Sequence, residues 1–324
     1  MSDLLKSAVA EVERGLAAIA LPDEPAELYA PVRHALEGRG KRIRPGMVLL
    51  AAEAFGGADA RRRALPAALA VEVFHTFTLV HDDIMDRADT RRGRPTVHTK
   101  WSDATAILAG DLLFSLSADL LRQTETDRLD AALGAYHATV ARLCEGQALD
   151  LAFESRRDVT ADAYLAMIDG KTGALLALAL DLGALVGGAA DRERRALAEA
   201  GGHLGRAFQI QDDLLDVTAD SEAWGKAVGG DLVAGKRTWL LLRAMERAQT
   251  DDDRAFFDAA LDGLAPERVP EARQRMDRRG VLAEAADAAR HHADLGTSGL
   301  DVLPAGPPAA SLRALARSLA TRSV

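Results

Sequence analysis

Aromatic residues are scarce in this 324-residue chain, at 4% of the total, and cysteine is all but absent, with Cys144 alone. A sheet protein would draw on more aromatic and β-branched side chains. Abundant alanine beside this scarcity leans the composition towards helix. A single cysteine excludes an intramolecular disulfide, and without a partner Cys144 reads as a small, buried apolar residue. A basic excess is lacking too: the formal net charge is −9. Nucleic acid needs a positive surface, so that class of partner is excluded. No Ser/Gly linker or low-complexity tract divides the chain, and no charged-then-apolar leader opens it. No apolar stretch reads as long enough to span a membrane. The expectation is a cytoplasmic protein with no transmembrane segment, folded as a single domain over residues 1–324.

What the chain does have is helical periodicity. Apolar residues recur at three- and four-residue steps between polar or Gly/Pro breaks. Helices are expected at about 4–20, 26–37, 43–56, 62–87, 101–122, 127–152, 160–169, 172–187, 191–218, 236–249, 252–263, 267–278, 281–295 and 308–321. Two of them end in aspartates. The first closes on HDDIMD, with Asp82, Asp83 and Asp86; the second closes on FQIQDDLLD, with Asp212, Asp213 and Asp216. On a helix, Asp82 and Asp86 share a face one turn apart, and Asp212 and Asp216 repeat the arrangement. Such pairs repel each other, and a helix C-terminus disfavours negative charge, so something positive must compensate.

A charge run is ordinarily a solvated face. Here Leu79, Val80, Ile84 and Met85 flank the first cluster, and Phe208, Ile210, Leu214 and Leu215 flank the second. Carboxylates on such apolar helices are expected to line an interior cavity. An all-oxygen ligand set suits Mg²⁺ or Mn²⁺ rather than zinc, with water and substrate phosphate completing the shell.

The basic residues fall in groups around these clusters. GRGKRIRP carries Lys41, Arg42 and Arg44; TRRGRP carries Arg91, Arg92 and Arg94; KTG carries Lys171; WGKAVGGDLVAGKRT carries Lys226, Lys236 and Arg237. Any single group reads as surface charge. Four groups around two carboxylate clusters suggest two anionic ligands, one on metals and one held by side chains alone. His75 lies two turns before Asp82 on roughly the same face, which points it to a phosphate. His81 and His98 receive no role.

GKRIRP, HDDIMD with TRRGRP, GQALDL, KTG, FQIQDDLLD and GKAVGGDLVAGKRT together resemble, in kind and in order, the motifs of the trans-isoprenyl diphosphate synthase (polyprenyl synthetase) family, over about residues 38–238. The resemblance implies an all-α, isoprenoid synthase-type helical bundle around a deep central cavity, usually homodimeric. It implies three Mg²⁺ ions, for which Mn²⁺ can substitute. Asp82, Asp86, Asp212 and Asp216 correspond to the metal set, with Asp213 in the same second motif. Arg91, Lys171, Thr172, Gln209, Lys226 and Lys236 correspond to residues holding an allylic diphosphate. Lys41, Arg44, His75 and Arg92 correspond to residues holding isopentenyl diphosphate. Lys171, Asp82 and Asp212 are the groups expected to act on the ionising diphosphate, and Gln147 and Asp150 to support the cavity.

The implied reaction is condensation of isopentenyl diphosphate with an allylic diphosphate by ionisation, condensation and elimination. In similar proteins, bulky residues upstream of the first aspartate motif limit product length. Here Phe77 and Phe74 lie roughly 7.5 and 12 Å before Asp82 along the helix. The product expected is therefore geranylgeranyl diphosphate (C20), with farnesyl diphosphate (C15) the alternative. A class I terpene cyclase would replace the second aspartate motif, and a regulatory synthase subunit would have degenerate motifs; both motifs are complete here.

Overall fold

Leu5, Ala8, Val12 and Leu16 fall at three- and four-residue steps, and all four are buried on one face of the first helix, α1 (Asp3–Ala17). Ser2 caps that helix by accepting from the Leu5 amide. The same periodicity builds the rest of the chain in a computed structural model, which describes residues 2–38, 40–219 and 228–320. Next come α2 (Ala26–Leu36), α3 (Ile43–Arg63), α4 (Leu65–Met85), α5 (Val97–Lys100), α6 (Asp103–Arg122) and α7 (Leu129–Glu154). They are followed by α8 (Ala161–Ile168), α9 (Ala174–Gly187) and α10 (Asp191–Thr218), with a π-helical turn, Asp169–Gly173, between α8 and α9. The helices Gly230–Val233, Trp239–Glu246, Asp251–Ala260, Val269–Arg278, Val281–Gly299 and Pro307–Ala320 complete the described chain. Extended structure among the described residues amounts to two two-residue strands, β1 (Thr90–Arg91) and β2 (Arg94–Pro95). The fold is all-α, as the composition led one to expect.

The expected third helix stopped at residue 56, whereas α3 continues to Arg63. Its geometry nevertheless breaks there: Gly57 sits at φ 67°, ψ −165°, outside helical space, and the chain resumes its coil beyond it.

Internal contacts divide the chain into two units. The first comprises Met1–His137, Leu178–Leu197 and Val302–Leu312; the second comprises Ala138–Ala177, Ala198–Asp301 and Arg313–Val324. In the first, α3 and α4 meet at Ala64 with a bend of 82°, and α4 packs along α6. The core there includes Val48, Leu49, Leu50, Val71, Phe74, Leu113 and Tyr136. In the second, Phe153, Tyr164, Ile210, Trp239, Phe257, Met276 and Val281 pack into one cluster. Small residues set a close helix approach here: a Cβ on Gly205 of α10 would stand 2.5 Å from the Gly173 Cα.

Two expectations are corrected. Cys144 is exposed, not buried, because it faces outward on α7. Two helical stretches, Asp103–Arg122 and Ala161–Gly187, are long and apolar enough to cross a membrane by length and composition, where none was expected. For Ala161–Gly187 the apolarity has another account, since 72% of its most apolar window is buried inside the protein. An interior helix of an all-α protein is apolar on every side. On α6, by contrast, Ile107 and Leu108 remain 47% and 59% exposed.

Candidate active site

In the first unit, α4 delivers the first aspartate cluster at its C-terminus. Asp86 is the C-cap, Arg87 follows at φ 51°, and the Arg87 and Ala88 amides donate to the Ile84 and Asp83 carbonyls. That Schellman closure stops the helix at the cluster. Asp82 is half-buried and Asp86 exposed, whereas Asp83 is buried and accepts from Arg91 Nε at 2.7 Å. Burial pushes the Asp83 carboxyl up, and the neighbouring Arg91 charge acts against that. Asp83 is therefore turned to the protein side of the helix, away from the face that Asp82 and Asp86 share.

TRRGRP forms a hairpin that was not expected from the sequence. Thr90 pairs with Pro95 and Arg91 with Arg94, leaving a two-residue turn at Arg92 and Gly93 with φ of 53° and 77°. Positive φ at both central residues is the primed turn that short hairpins favour. Glycine takes it without strain, while Arg92 is held there at a cost of about 1–3 kcal/mol. The turn brings Arg92 against the GRGKRIRP loop, where a Cβ on Gly40 would lie 2.7 Å from Arg92 Nη1.

Arg44, in the first turn of α3, reaches His75 of α4: Nη1 lies 3.3 Å from His75 Nε2. A guanidinium can only donate, so Nε2 accepts and the imidazole proton sits on Nδ1. Burial, reinforced by the charges of Arg44, Arg92, Arg91 and Arg42, holds His75 well below its usual range, and so neutral. Burial also lowers Arg44. Arg44 Nε is buried with no hydrogen-bond partner, one of four such side-chain atoms among the described residues. A buried charged donor left unpaired is costly, so this one suits an anionic ligand. Lys41, two residues before α3, is exposed. His81 and His98 face the Ile107 and Ala88 carbonyls, which gives both a structural role.

In the second unit, the π turn lifts Lys171 and Thr172 out of helical register. Lys171 Nζ pairs with Asp150 of α7, and Thr172 Oγ1 donates to Gln209 Oε1 of α10 at 3.4 Å. Gly146, in GQALDL, permits this arrangement: a Cβ there would stand 2.4 Å from the Lys171 nitrogen. Gly146→Ala should push α7 off the π turn, lowering stability by about 1–3 kcal/mol in urea denaturation. Unchanged stability would show that the two backbones are not in contact.

Of the second aspartate cluster, Asp212 is half-buried, Asp213 is 2% exposed and Asp216 is 8% exposed. Asp213 accepts from Gln209 Nε2 at 3.0 Å, Tyr164 Oη at 2.8 Å and the Trp239 amide at 3.1 Å. Burial pushes its carboxyl up to about 7 against those donors. Through these three hydrogen bonds Asp213 anchors the start of Trp239–Glu246. Asp216 accepts from the Asp231 amide at 3.1 Å, at the start of Gly230–Val233. Lys236 is exposed, 3.7 Å from Asp231, while Arg237 donates to the Arg156, Gly235 and Leu261 carbonyls and so acts as a structural tie. Lys226 lies outside the described residues. Sequence reasoning passed over Tyr164 and Glu72, whose partners lie far along the chain, and gave Arg42 no role of its own.

Among the described residues, no three His, Cys, Asp or Glu side chains gather to hold a metal by themselves. Mg²⁺ does not require them: one or two carboxylates suffice where substrate phosphate and water fill the shell. The donor set of Asp82 with Asp86 suits it.

The chain matches the profile of the Polyprenyl synthetase family over residues 25–276. It is 41% identical over 303 residues to a geranylgeranyl diphosphate synthase of Methanosarcina mazei, covering 93% of this chain and 91% of that protein. A (2E,6E)-farnesyl diphosphate synthase of Mycobacterium tuberculosis is 48% identical over 199 residues, 61% of this chain and 55% of that protein. The crystal structure of a geranylgeranyl pyrophosphate synthetase from Pyrococcus horikoshii superposes with a TM-score of 0.92 at 36% identity, covering 98% of this chain and 97% of that one. Fold, motifs and relatives agree, and the chain belongs to the polyprenyl synthetase family, as an enzyme of its prenyltransferase class.

Proposed function

We propose that this chain condenses isopentenyl diphosphate with an allylic diphosphate and makes chiefly geranylgeranyl diphosphate. The buried Arg44 Nε, with no protein partner and beside a neutral His75, carries this reading, because such a donor suits an anion held without metal. Lys41, Arg44, His75 and Arg92 hold isopentenyl diphosphate there. Arg91, Lys171, Thr172, Gln209, Lys226 and Lys236 hold the allylic diphosphate, with Asp82, Asp86, Asp212 and Asp216 as the metal ligands. Three Mg²⁺ ions are expected, with Mn²⁺ able to replace them; when bound, they neutralise the leaving diphosphate.

Lys171 stabilises the negative charge that develops as the allylic C–O bond breaks. Arg44 and His75 fix isopentenyl diphosphate so that its double bond meets the cation, and apolar side chains exclude water from it. The released diphosphate is the base that takes the proton. Phe77 and Phe74 limit the product. Residues 1–324 are read as a single polyprenyl synthetase domain. The protein is taken to be a cytoplasmic homodimer.

Supplying Mg²⁺, isopentenyl diphosphate and each allylic primer, and reading product mass, tests the proposal. A C20 product supports it, and a C15 product keeps the synthase but overturns the length limit. Cyclised hydrocarbon from a longer diphosphate would mean a cyclase.

A further inference from the structure

Arg42 belongs to the basic loop, yet its side chain is buried inside the protein. It is the N-cap of α3, held in the left-handed region at φ 46°, ψ 39°, and is 6% exposed. Each nitrogen of its guanidinium donates to the protein. Nε donates to Glu13 Oε1 of α1 at 2.8 Å, Nη1 to Glu72 Oε1 of α4 at 2.5 Å, and Nη2 to the Gly38 carbonyl beyond α2 at 2.7 Å. Glu72 is itself only 4% exposed. Burial works against the Arg42 charge, but Glu72 and Glu13 outweigh it and the guanidinium is held more firmly protonated.

A buried ion pair of this kind is a poor source of net stability, because desolvation offsets the attraction, and apolar residues of similar volume often replace it without loss. Its left-handed backbone adds a further cost. What the pair does supply is geometry. Lys41 is the residue before Arg42, Arg44 is two after it, and His75 is three after Glu72 on the same helix. The guanidinium spans two carboxylates, Glu13 of α1 through Nε and Glu72 of α4 through Nη1, and so sets the register between the loop that carries Lys41 and Arg44 and the helix that carries His75.

We infer that Arg42, through its ion pair with Glu72, is the positioning residue of the isopentenyl diphosphate site: it touches no substrate, and it fixes Lys41 and Arg44 against His75. This rests on the proposed assignment of that site.

The test is the double variant Arg42→Met/Glu72→Met, which swaps the pair for apolar volume, alongside Arg42→Lys, which keeps the charge but loses the fork. Steady-state kinetics should show KM for isopentenyl diphosphate raised about ten-fold or more in both, with KM for the allylic diphosphate within about two-fold. Calorimetry with inorganic diphosphate in EDTA reads the metal-free anion site without turnover, and should show binding weakened about ten-fold or more. A merely structural pair would leave both readouts of the folded double variant at wild-type values, and that result overturns the inference. So would a loss of kcat alone in Arg42→Lys, or no metal-free binding of diphosphate by the wild type. If the wild type binds diphosphate but forms no condensation product, the proposed function fails while the binding comparison still decides the role of Arg42.

Discussion

Asp86→Asn should lower condensation about a hundred-fold or more while leaving the unliganded protein as stable as before, or slightly more so. The two halves of this expectation have one origin. Asp86 is the exposed C-cap of α4, where the helix dipole already gathers negative charge, and Asp82 lies one turn earlier on the same face. In the unliganded chain each carboxylate is a liability to the helix, and the neutral amide relieves it. On the proposed function the same charge is what a divalent cation needs, and the amide is a far weaker ligand. Thermal unfolding without metal, set beside activity at saturating Mg²⁺, separates the two. A fall in activity that merely tracks a fall in folded protein would show that Asp86 supports the helix and not a metal. Asp83→Asn makes the useful contrast: its carboxylate is buried against Arg91, so there the loss should appear in stability first.

Phe77→Ala should shift the product from C20 to C25 and longer. Phe77 is half-buried, with its ring 5.6 Å from Phe74, 5.4 Å from Phe114 and 4.8 Å from His81. Truncating it opens space without dismantling the core. Phe74 lies almost one turn further from the aspartates, is 0% exposed, and also meets Tyr136 at 5.3 Å. Phe74→Ala should cost about 3–5 kcal/mol of stability, because a fully buried ring leaves a cavity that its neighbours cannot close. Product analysis of Phe77→Ala by mass spectrometry is therefore the cleaner readout. An unchanged distribution would remove Phe77 from the account of chain length.

The difference between these two rings marks what the sequence could disclose. Period and breaks located the helices, and placed Asp82 with Asp86 and Asp212 with Asp216 on shared helix faces, because those relations are local. The burial that separates Phe77 from Phe74 depends on Phe114 and Tyr136, which come from other helices. The same holds for Asp213: in FQIQDDLLD it looks equivalent to Asp212, yet Tyr164 and the Trp239 amide, both distant in sequence, commit its carboxylate to the fold. The pairing of Arg42 with Glu72, 30 residues apart, leaves no periodic trace either. TRRGRP escaped for a different reason. Its strands are too short for alternation to register, and its turn asks an arginine to take positive φ. Cys144 was misjudged because rarity of a residue type says nothing about which helix face it occupies.

The most direct test of the central claim is to follow diphosphate release in Mg²⁺ with an allylic diphosphate, alone and with isopentenyl diphosphate. A synthase should release one diphosphate for each isopentenyl diphosphate consumed, and almost none without it. Rapid release from the allylic diphosphate alone, with no lengthened product, would contradict the account.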